Sequence, residues 1–405
     1  MSAAPGGYPL RTVVAVVAAT TAAQVAGAMG AAVFPVIAPE LARELGVQTA
    51  LIGYQMSLIY GAAMLGSMSF AWMVARYGGC RTTQIGMACC VLGLAAGFHS
   101  SIAALMVTSV LIGLSMSINL PAAAHLLFRF SPPQHRNFIF SLKQTGVPLA
   151  WALMALIAPA VTLTWGWRWA LALVLVCALV TLFAMQPARE RWDDDRRPDL
   201  PVRARVFEGV QLVWRLPALR WLCVAAFGMA FVQLCVSTFT VIMLVEETDY
   251  TLIEAGLMLS VAQIAGVIGR IAWGWLADRT HDSLRVLQWL TAGMLLCCIT
   301  AVFLQPGWPV LITALLFALF GATAIGWNGL YIAEVARRSP PGQVSIVTGG
   351  AMVWNFGGIL AGPTAFTLVY QLLGSYAWTY GCMAVMVLVI FFALAASRRV
   401  LRAEG

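Results

Sequence analysis

Long apolar segments separated by short polar loops follow one another along almost the whole chain. Their approximate bounds are 12–37, 50–74, 82–99, 103–128, 137–160, 167–186, 218–245, 253–277, 285–304, 309–336, 344–371 and 376–397. A helix needs about 20 apolar residues to cross the hydrocarbon core of a bilayer. Backbone polar groups that face lipid must pair within their own segment. The pattern therefore predicts an all-α membrane protein with twelve transmembrane helices.

The composition excludes several classes of protein. Of the 405 residues, 61% are hydrophobic and only 10% are charged, whereas a soluble domain carries roughly 25% charged residues. A soluble enzyme, a disordered chain and a nucleic-acid-binding module are therefore not expected. The single lysine, Lys143, follows a leucine, so no phosphate-binding loop of the GxxxxGK type exists. The nine cysteines form no metal-ligand spacing, and we expect neither a metal nor a cofactor.

The basic residues predict the orientation in the membrane. If the N-terminus is inside, every one of the 24 lies in an inside loop or tail or at the inside end of a segment, except Arg43 and Arg168 outside and Lys143 and Arg270 deeper within helices. Positively charged residues concentrate in cytoplasmic loops. We expect both termini in the cytoplasm, in a bacterial inner membrane.

The chain divides near its middle. The polar stretch 187–217 predicts a cytoplasmic linker between two six-helix bundles, residues 1–186 and 218–405. Within it, Asp193, Asp194 and Asp195 stand between Arg191 and Arg196-Arg197, which favours a solvated charge run over a metal site. The halves repeat each other, because Ser131-Pro132-Pro133 recurs as Ser339-Pro340-Pro341, and Cys89-Cys90 recurs as Cys297-Cys298 at the same offset. Such repeats place a substrate site near the midplane, between the halves.

Twelve helices, a central linker and a G-x-L-A-D-R motif resemble the major facilitator superfamily. The motif is present after the eighth helix as Gly274, Leu276, Ala277, Asp278 and Arg279. After the second helix Ala75 replaces its aspartate, although Arg76 remains. The resemblance implies two pseudo-symmetric bundles that rock about a central site. It also implies that Arg76, Asp278 and Arg279 contribute to closure on the inside.

Two cations are expected near the midplane, where an ionisable residue is costly and indicates function. Lys143 is predicted either to anchor a substrate or to extend to the headgroups. An arginine placed like Arg270, four residues before the motif glycine, resembles the oxalate/formate and monocarboxylate transporters of the superfamily. In those families it binds the substrate carboxylate, which a guanidinium holds through two parallel hydrogen bonds. A structural pair on a neighbouring helix is the alternative for Arg270.

Other polar and aromatic residues within the spans are candidates for substrate contact or for helix-helix packing. Those selected for substrate binding are Gln24, Asn119, Gln144, Trp327, Asn328, Trp354 and Asn355, while Gln233 and Gln263 are further candidates. Glu334 and His125 are candidates for gating or proton coupling, and Arg337 and Arg338 offer Glu334 local ion pairs.

These observations predict a secondary transporter of a small organic anion, a mono- or dicarboxylate, working as a proton symporter or an anion exchanger. The partners expected are the substrate, the bilayer and, for symport, protons; a monomer is the family-level expectation. A proton-coupled efflux pump for drugs or metabolites is an alternative, although no protonatable acid is found in the first six helices. A non-transporting membrane sensor is a second alternative. No constellation of nucleophile and base indicates an enzyme.

Overall fold

The computed structural model describes residues 8–70, 72–132, 139, 143–199, 207–280, 282–340 and 344–404, and over these ranges it is helical without strands. Twelve membrane helices are α1 (Leu10–Leu45), α2 (Ile52–Ser69), α3 (Gly79–Gly97), α4 (Ile102–Phe130), α5 (Gly146–Trp165), α6 (Trp167–Ala184), α7 (Pro217–Glu247), α8 (Leu252–Thr280), α9 (Ser283–Val302), α10 (Val310–Arg338), α11 (Val344–Leu373) and α12 (Tyr376–Glu404). Ten of the helices within the described ranges are long and apolar enough to cross a membrane. The other two, α2 and α3, have 18 and 19 residues.

Shorter elements join these helices. A short helix, Trp72–Tyr77, follows α2, and α10 is interrupted at residues 325–327, between Val310–Ala324 and Asn328–Arg338. The linker contains two helical segments, Arg189–Trp192 and Phe207–Arg215. The interruption of α10 and the folded parts of the linker are the main departures from the helix pattern that the sequence predicts.

Glycines at helix crossings allow backbones to meet. A Cβ on Gly113 of α4 would lie 2.1 Å from the carbonyl oxygen of Ile59 on α2. A Cβ on Gly358 of α11 would lie 1.9 Å from the carbonyl oxygen of Phe227 on α7. Small residues at such crossings provide the close packing that holds membrane helices together, because lipid supplies no hydrophobic drive between them.

Helices α1–α6 pack mainly on one another, as do α7–α12, and the two sets meet through α1 with α7, α2 with α11 and α5 with α8. The repeated Ser-Pro-Pro sequences hold equivalent places. Ser131 ends α4 and Ser339 ends α10, and both have extended backbone conformations.

The two ends of this bundle differ. We call the end that carries the linker and both chain termini the linker end, and the opposite one the far end. Towards the far end, hydrogen bonds join the halves: Ser57 Oγ donates to Leu360 O at 2.7 Å, and Thr367 Oγ1 donates to Ala50 O at 2.9 Å. Residues 26–38 of α1 are all buried there, whereas Leu10 and Val14 near its start are exposed.

One aspartate of the linker departs from the solvated charge run that the sequence suggests, while Asp194 and Asp195 are exposed. Asp193 is only 4% exposed, and its carboxylate accepts from the backbone N–H groups of Cys80 and Arg81 at 2.7 and 2.9 Å. Asp195 pairs with His125 at 2.8 Å and with Arg129 at 2.9 Å. The prediction is wrong for Asp193, because the chain turns back onto α3, which offers free backbone donors.

Candidate functional site

A small cavity lies between the two halves. Its lining comes from both: Tyr60, Val147, Pro148 and Trp151 of α2 and α5, and Gln233, Leu234, Ser237, Gln263, Arg270, Ile325 and Ile359 of α7, α8, α10 and α11. Its volume is about 40 Å³, which has room for a few water molecules. The cavity therefore combines aromatic surface, side-chain amides and one fixed cation.

Arg270 connects the halves across this cavity. Its Nε donates to the carbonyl oxygen of Ile325 and its Nη1 donates to that of Gln144, each at 3.2 Å. Ile325 belongs to its own half, whereas Gln144 immediately precedes α5 in the other. No carboxylate among the described residues pairs with the guanidinium. The alternative, a structural pair with a polar neighbour on an adjacent helix, is met only by backbone carbonyls, since both hydrogen bonds of Arg270 to described residues go to carbonyl oxygens.

Lys143 adjoins the residue that Arg270 contacts. Its side chain is buried, with 5% of the residue exposed, and no described residue forms a hydrogen bond or an ion pair with its ammonium. A lysine that extended to the headgroups would be exposed at its tip, so this burial disfavours that interpretation. The two cations that the sequence singles out lie on segments of the two halves that meet at the carbonyl oxygen of Gln144, and of the two only Arg270 lines the cavity.

The interruption of α10 organises a polar group beside the cavity. The Oε1 atom of Gln233 accepts hydrogen bonds from Trp327 Nε1 at 2.9 Å and from Asn328 Nδ2 at 3.1 Å. Trp327 is fully buried. Trp327 and Asn328 thus contact Gln233, which lines the cavity, and neither of them is part of the lining.

The remaining predicted substrate residues have varied surroundings. Gln24 donates to Gln144 Oε1 at 3.3 Å, within the first half. Asn119 packs against Gly86 of α3, where a Cβ would lie 2.3 Å from its Oδ1. Trp354 stacks on Trp214 of the linker, with ring centroids 5.1 Å apart, and Asn355 is buried beside it in sequence. None of Gln24, Asn119, Trp354 and Asn355 lines the cavity, so their predicted contact with substrate remains a prediction.

The charges predicted to close the linker end are apart. Asp278 and Arg279 are exposed, and Arg76 is half-buried. The Arg279 guanidinium lies over the ring of Trp275, 5.0 Å from its centroid. Within the described ranges, none of Asp278, Arg279 and Arg76 forms an ion pair. Hydrogen bonds between the halves therefore join them towards the far end, whereas these charged residues do not join them at the linker end.

The candidate proton-coupling residues are engaged elsewhere. Glu334 is buried and pairs with Arg338 and, at 3.2 Å, with Arg337, which confirms the local ion pairs predicted for it. His125 pairs with Asp195 of the linker. Neither lines the cavity. In the described part of the chain, no group of three His, Cys, Asp or Glu side chains could hold a metal ion.

Sequence reasoning missed several lining residues. Tyr60, Trp151 and Ser237 carry no signal that separates them from ordinary buried residues of a membrane helix. Gln263 donates to Ser237 Oγ at 3.0 Å. Polarity within a span marks Gln263 as a candidate, but only the packed structure shows which side of its helix meets the cavity.

Comparison with known families agrees with this architecture. A sequence model of the Major Facilitator Superfamily matches residues 20–363. The chain belongs to the major facilitator superfamily. An uncharacterized MFS-type transporter from two strains of Mycobacterium tuberculosis is 23% identical over 175 residues, which are 42% of this chain and 37% of the relative. The chain thus matches little more than a third of the length of these curated relatives.

Solved structures resemble the chain over nearly its whole length. A peptide transporter POT in complex with sulfate has a TM-score of 0.76 at 14% identity, covering 97% of this chain and 95% of that one. A POT family transporter with 5-aminolevulinic acid has a TM-score of 0.74 at 12% identity, covering 96% of each chain. A bacterial homologue of the human drug peptide transporters PepT1 and PepT2 has a TM-score of 0.75 at 15% identity, covering 97% of this chain and all of that one. At these identities the likeness establishes the fold: an all-α membrane protein of two six-helix bundles.

Proposed function

We propose that the protein is a secondary transporter that moves a small organic anion, a mono- or dicarboxylate, by alternating access of its two halves. The observation that carries the proposal is the pair Lys143 and Arg270, placed on facing segments with no carboxylate partner among the described residues. Lys143 is buried and Arg270 half-buried, and a buried charge left unpaired costs several kcal/mol. A substrate carboxylate would supply the missing charge and would accept two parallel hydrogen bonds from the guanidinium.

The conformation supports a transport cycle. The halves are hydrogen-bonded to each other towards the far end, while Asp278, Arg279 and Arg76 at the linker end are not paired. This arrangement is that of a transporter closed at the far end. In the present state Arg270 donates to Gln144 of the other half, so a bound carboxylate would take over a donor that now joins the halves. Substrate binding and movement of the halves are thereby linked at Arg270.

The surroundings of the titratable groups support anion exchange over proton symport. Glu334 is paired with two arginines and His125 with Asp195, and neither lines the cavity. A proton carrier in a symporter would be expected beside the substrate site. From the distribution of arginines we further propose cytoplasmic termini in a bacterial inner membrane, and from the family we propose a monomeric transporter.

A thermal-shift screen of the purified protein tests this proposal. Ligands that bind only the folded state stabilise it, by about 2.7 kcal/mol at a hundred times the Kd. We expect stabilisation by a mono- or dicarboxylate in the native protein and in Arg43→Ala, whose side chain is 80% exposed. We expect none in Arg270→Ala or Lys143→Ala.

The screen also includes a dipeptide, because solved relatives are named as peptide transporters, and neutral and cationic amphiphiles. Stabilisation by amphiphiles alone would contradict the proposal and favour the efflux pump. Equal stabilisation of all four proteins by a carboxylate would make the two cations structural.

A further inference from the structure

The side-chain amide of Gln233 is held at one end and left open at the other. Its Oε1 accepts from Trp327 Nε1 and Asn328 Nδ2. An indole N–H can only donate a hydrogen bond, so the amide oxygen, and not the nitrogen, must face Trp327. No described residue accepts from Nε2. Because Gln233 lines the cavity together with Arg270, its amide N–H₂ is a second donor that can meet a ligand there.

The same interruption of α10 also orients Arg270. The carbonyl oxygen of Ile325, at the interruption, accepts from Arg270 Nε. Trp273, one turn further along α8, donates from Nε1 to Ala322 O at 2.8 Å. Residues 322–328 of α10 thus orient the guanidinium of Arg270 on α8 and the amide of Gln233 on α7. Both of these residues line the same cavity.

We propose that Gln233 is a substrate-binding and specificity-determining residue, and that Trp327 and Asn328 are positioning residues that hold its donor towards the ligand. The proposal rests on the proposed function, because it adds a donor to the anion site of Arg270. The guanidinium of Arg270 and the amide N–H₂ of Gln233 both donate into one cavity. This pair of donors favours a ligand with acceptor oxygens on adjacent carbons. A 2-oxo acid has a carbonyl oxygen beside its carboxylate, whereas the corresponding 2-amino acid has an ammonium group there, whose hydrogens oppose those of Gln233.

Direct binding of matched acids tests this assignment. The probes are pyruvate with alanine and 2-oxoglutarate with glutamate, titrated against the full chain in detergent. We expect at least one oxo acid to bind about tenfold more tightly than its amino acid, the effect of roughly one strong neutral hydrogen bond. The Gln233→Glu variant retains an oxygen acceptor for Trp327 but replaces the amide donor. We expect it to lose at least about tenfold in oxo-acid affinity and to lose the preference over the amino acid.

Controls separate binding from folding. Gln84→Met removes a glutamine whose amide bonds to Gln186 and Leu182 in the first half, and we expect it to leave oxo-acid affinity unchanged. We expect Trp327→Phe to weaken oxo-acid binding in the native background. In a Gln233→Met background it has no further effect on affinity, because no donor is left to position.

The outcomes distinguish this inference from the proposed function. Suppose that an oxo acid binds the native protein, that Arg270→Ala abolishes this binding, and that Gln233→Glu binds the acid as tightly as the native protein does. The role of Gln233 is then overturned and the anion site stands. Equal affinity of the native protein for oxo and amino acids would overturn the specificity assignment. If neither oxo acids nor the simple carboxylates of the thermal-shift screen bind the native protein, both proposals fail.

Discussion

The third helix of each half begins at the linker end, and in both halves an aspartate carboxylate binds its first backbone N–H groups. In the second half the aspartate is local: Asp282 directly precedes α9 and accepts from Arg285 N at 2.9 Å. In the first half it is distant in sequence: Asp193 of the linker accepts from Cys80 N and Arg81 N at the start of α3. Acidic groups at this position satisfy free donors and complement the helix dipole. The two halves meet the same requirement by different routes.

The difference shows how the linker is attached. Besides the contacts of Asp193, Arg197 N donates to Ala75 O at 2.7 Å, so residues 193–197 are bound to the first half. The second helical segment, Phe207–Arg215, is attached to the second half through the stacking of Trp214 on Trp354. Each described segment of the linker is thus fastened to a different bundle.

Gly78 makes the distant arrangement possible. It has a φ of 91°, and a Cβ there would lie 2.3 Å from the Asp193 carboxyl carbon. Gly166 has a φ of 95° with nothing within 4 Å of its Cβ position, so Gly166→Ala measures the backbone strain alone, about 1–2 kcal/mol. We expect Gly78→Ala to cost about 1–3 kcal/mol more, because it also displaces the acceptor of two backbone N–H groups. Unfolding in detergent measures both, and equal losses would contradict the role of Asp193.

Removing each aspartate separates the local from the distant arrangement. We expect Asp193→Ala to lower the free energy of unfolding by about 1–3 kcal/mol, because two backbone N–H groups lose their acceptor. It should also expose the linker to limited proteolysis. Asp282→Ala should cost about 1 kcal/mol, as typical for a lost helix cap, and leave linker cleavage unchanged. Equal cleavage of the linker in the two variants would show that Asp193 does not hold it.

The pH dependence of stability offers a finer test. Burial raises the pKa of Asp193, and the hydrogen bonds from Cys80 N and Arg81 N oppose this effect only partly. The carboxyl group of Asp193 therefore holds its proton more tightly in the folded state than in the unfolded state. The contribution of the Asp193 carboxyl to the free energy of unfolding is complete below the ordinary aspartate pKa of about 4. This contribution is lost as the pH rises through the raised pKa of the folded state. We expect Asp193→Asn to remove this slope. A midpoint of thermal unfolding that rises with pH in the native protein relative to Asp193→Asn would contradict the assignment.

The smallest effects are expected around Asp282. Arg285 lies 3.7 Å from its carboxylate with a side chain that is 53% exposed, so Arg285→Ala should change stability by less than about 0.5 kcal/mol. Arg398 of α12 is 2.7 Å from the same carboxylate, is less exposed and also donates to Gln288. Arg398→Ala should therefore cost more than Arg285→Ala in the same unfolding measurement. A larger loss of stability in Arg285→Ala than in Arg398→Ala would show that the capping of α9 by Asp282 does not depend on α12.

The fold follows from the sequence because the thickness of a bilayer fixes the length of apolar segments. The predicted spans agree with the helices to within a few residues at most ends, as 253–277 does with Leu252–Thr280. The interruption of α10 is not predicted, since residues 325–327 are as apolar as their neighbours. The partner of Asp193 is not predicted either. Asp282 can be recognised as a helix cap from its place before α9, but nothing local connects Asp193 with Cys80.

The candidate site is predicted only in its charges. Arg270 and Lys143 stand out because charge within a span is rare, whatever direction their side chains take. Amides give a weaker signal. Asn119 and Gln233 are both polar residues within spans, yet Asn119 packs against Gly86 while Gln233 meets the cavity. Which of them can bind a ligand depends on the packing of several helices, which periodicity within one helix does not reveal.

The most direct test of the central claim is exchange of the carboxylate that stabilises the protein most, measured as uptake of its labelled form into proteoliposomes loaded with the unlabelled acid. We expect uptake by the native protein and by Arg43→Ala. We expect Arg270→Ala and Lys143→Ala each to lose at least about tenfold, because removing one partner of a buried charge pair costs about 2–5 kcal/mol. Exchange at the native rate by both variants would contradict an anion site between the halves.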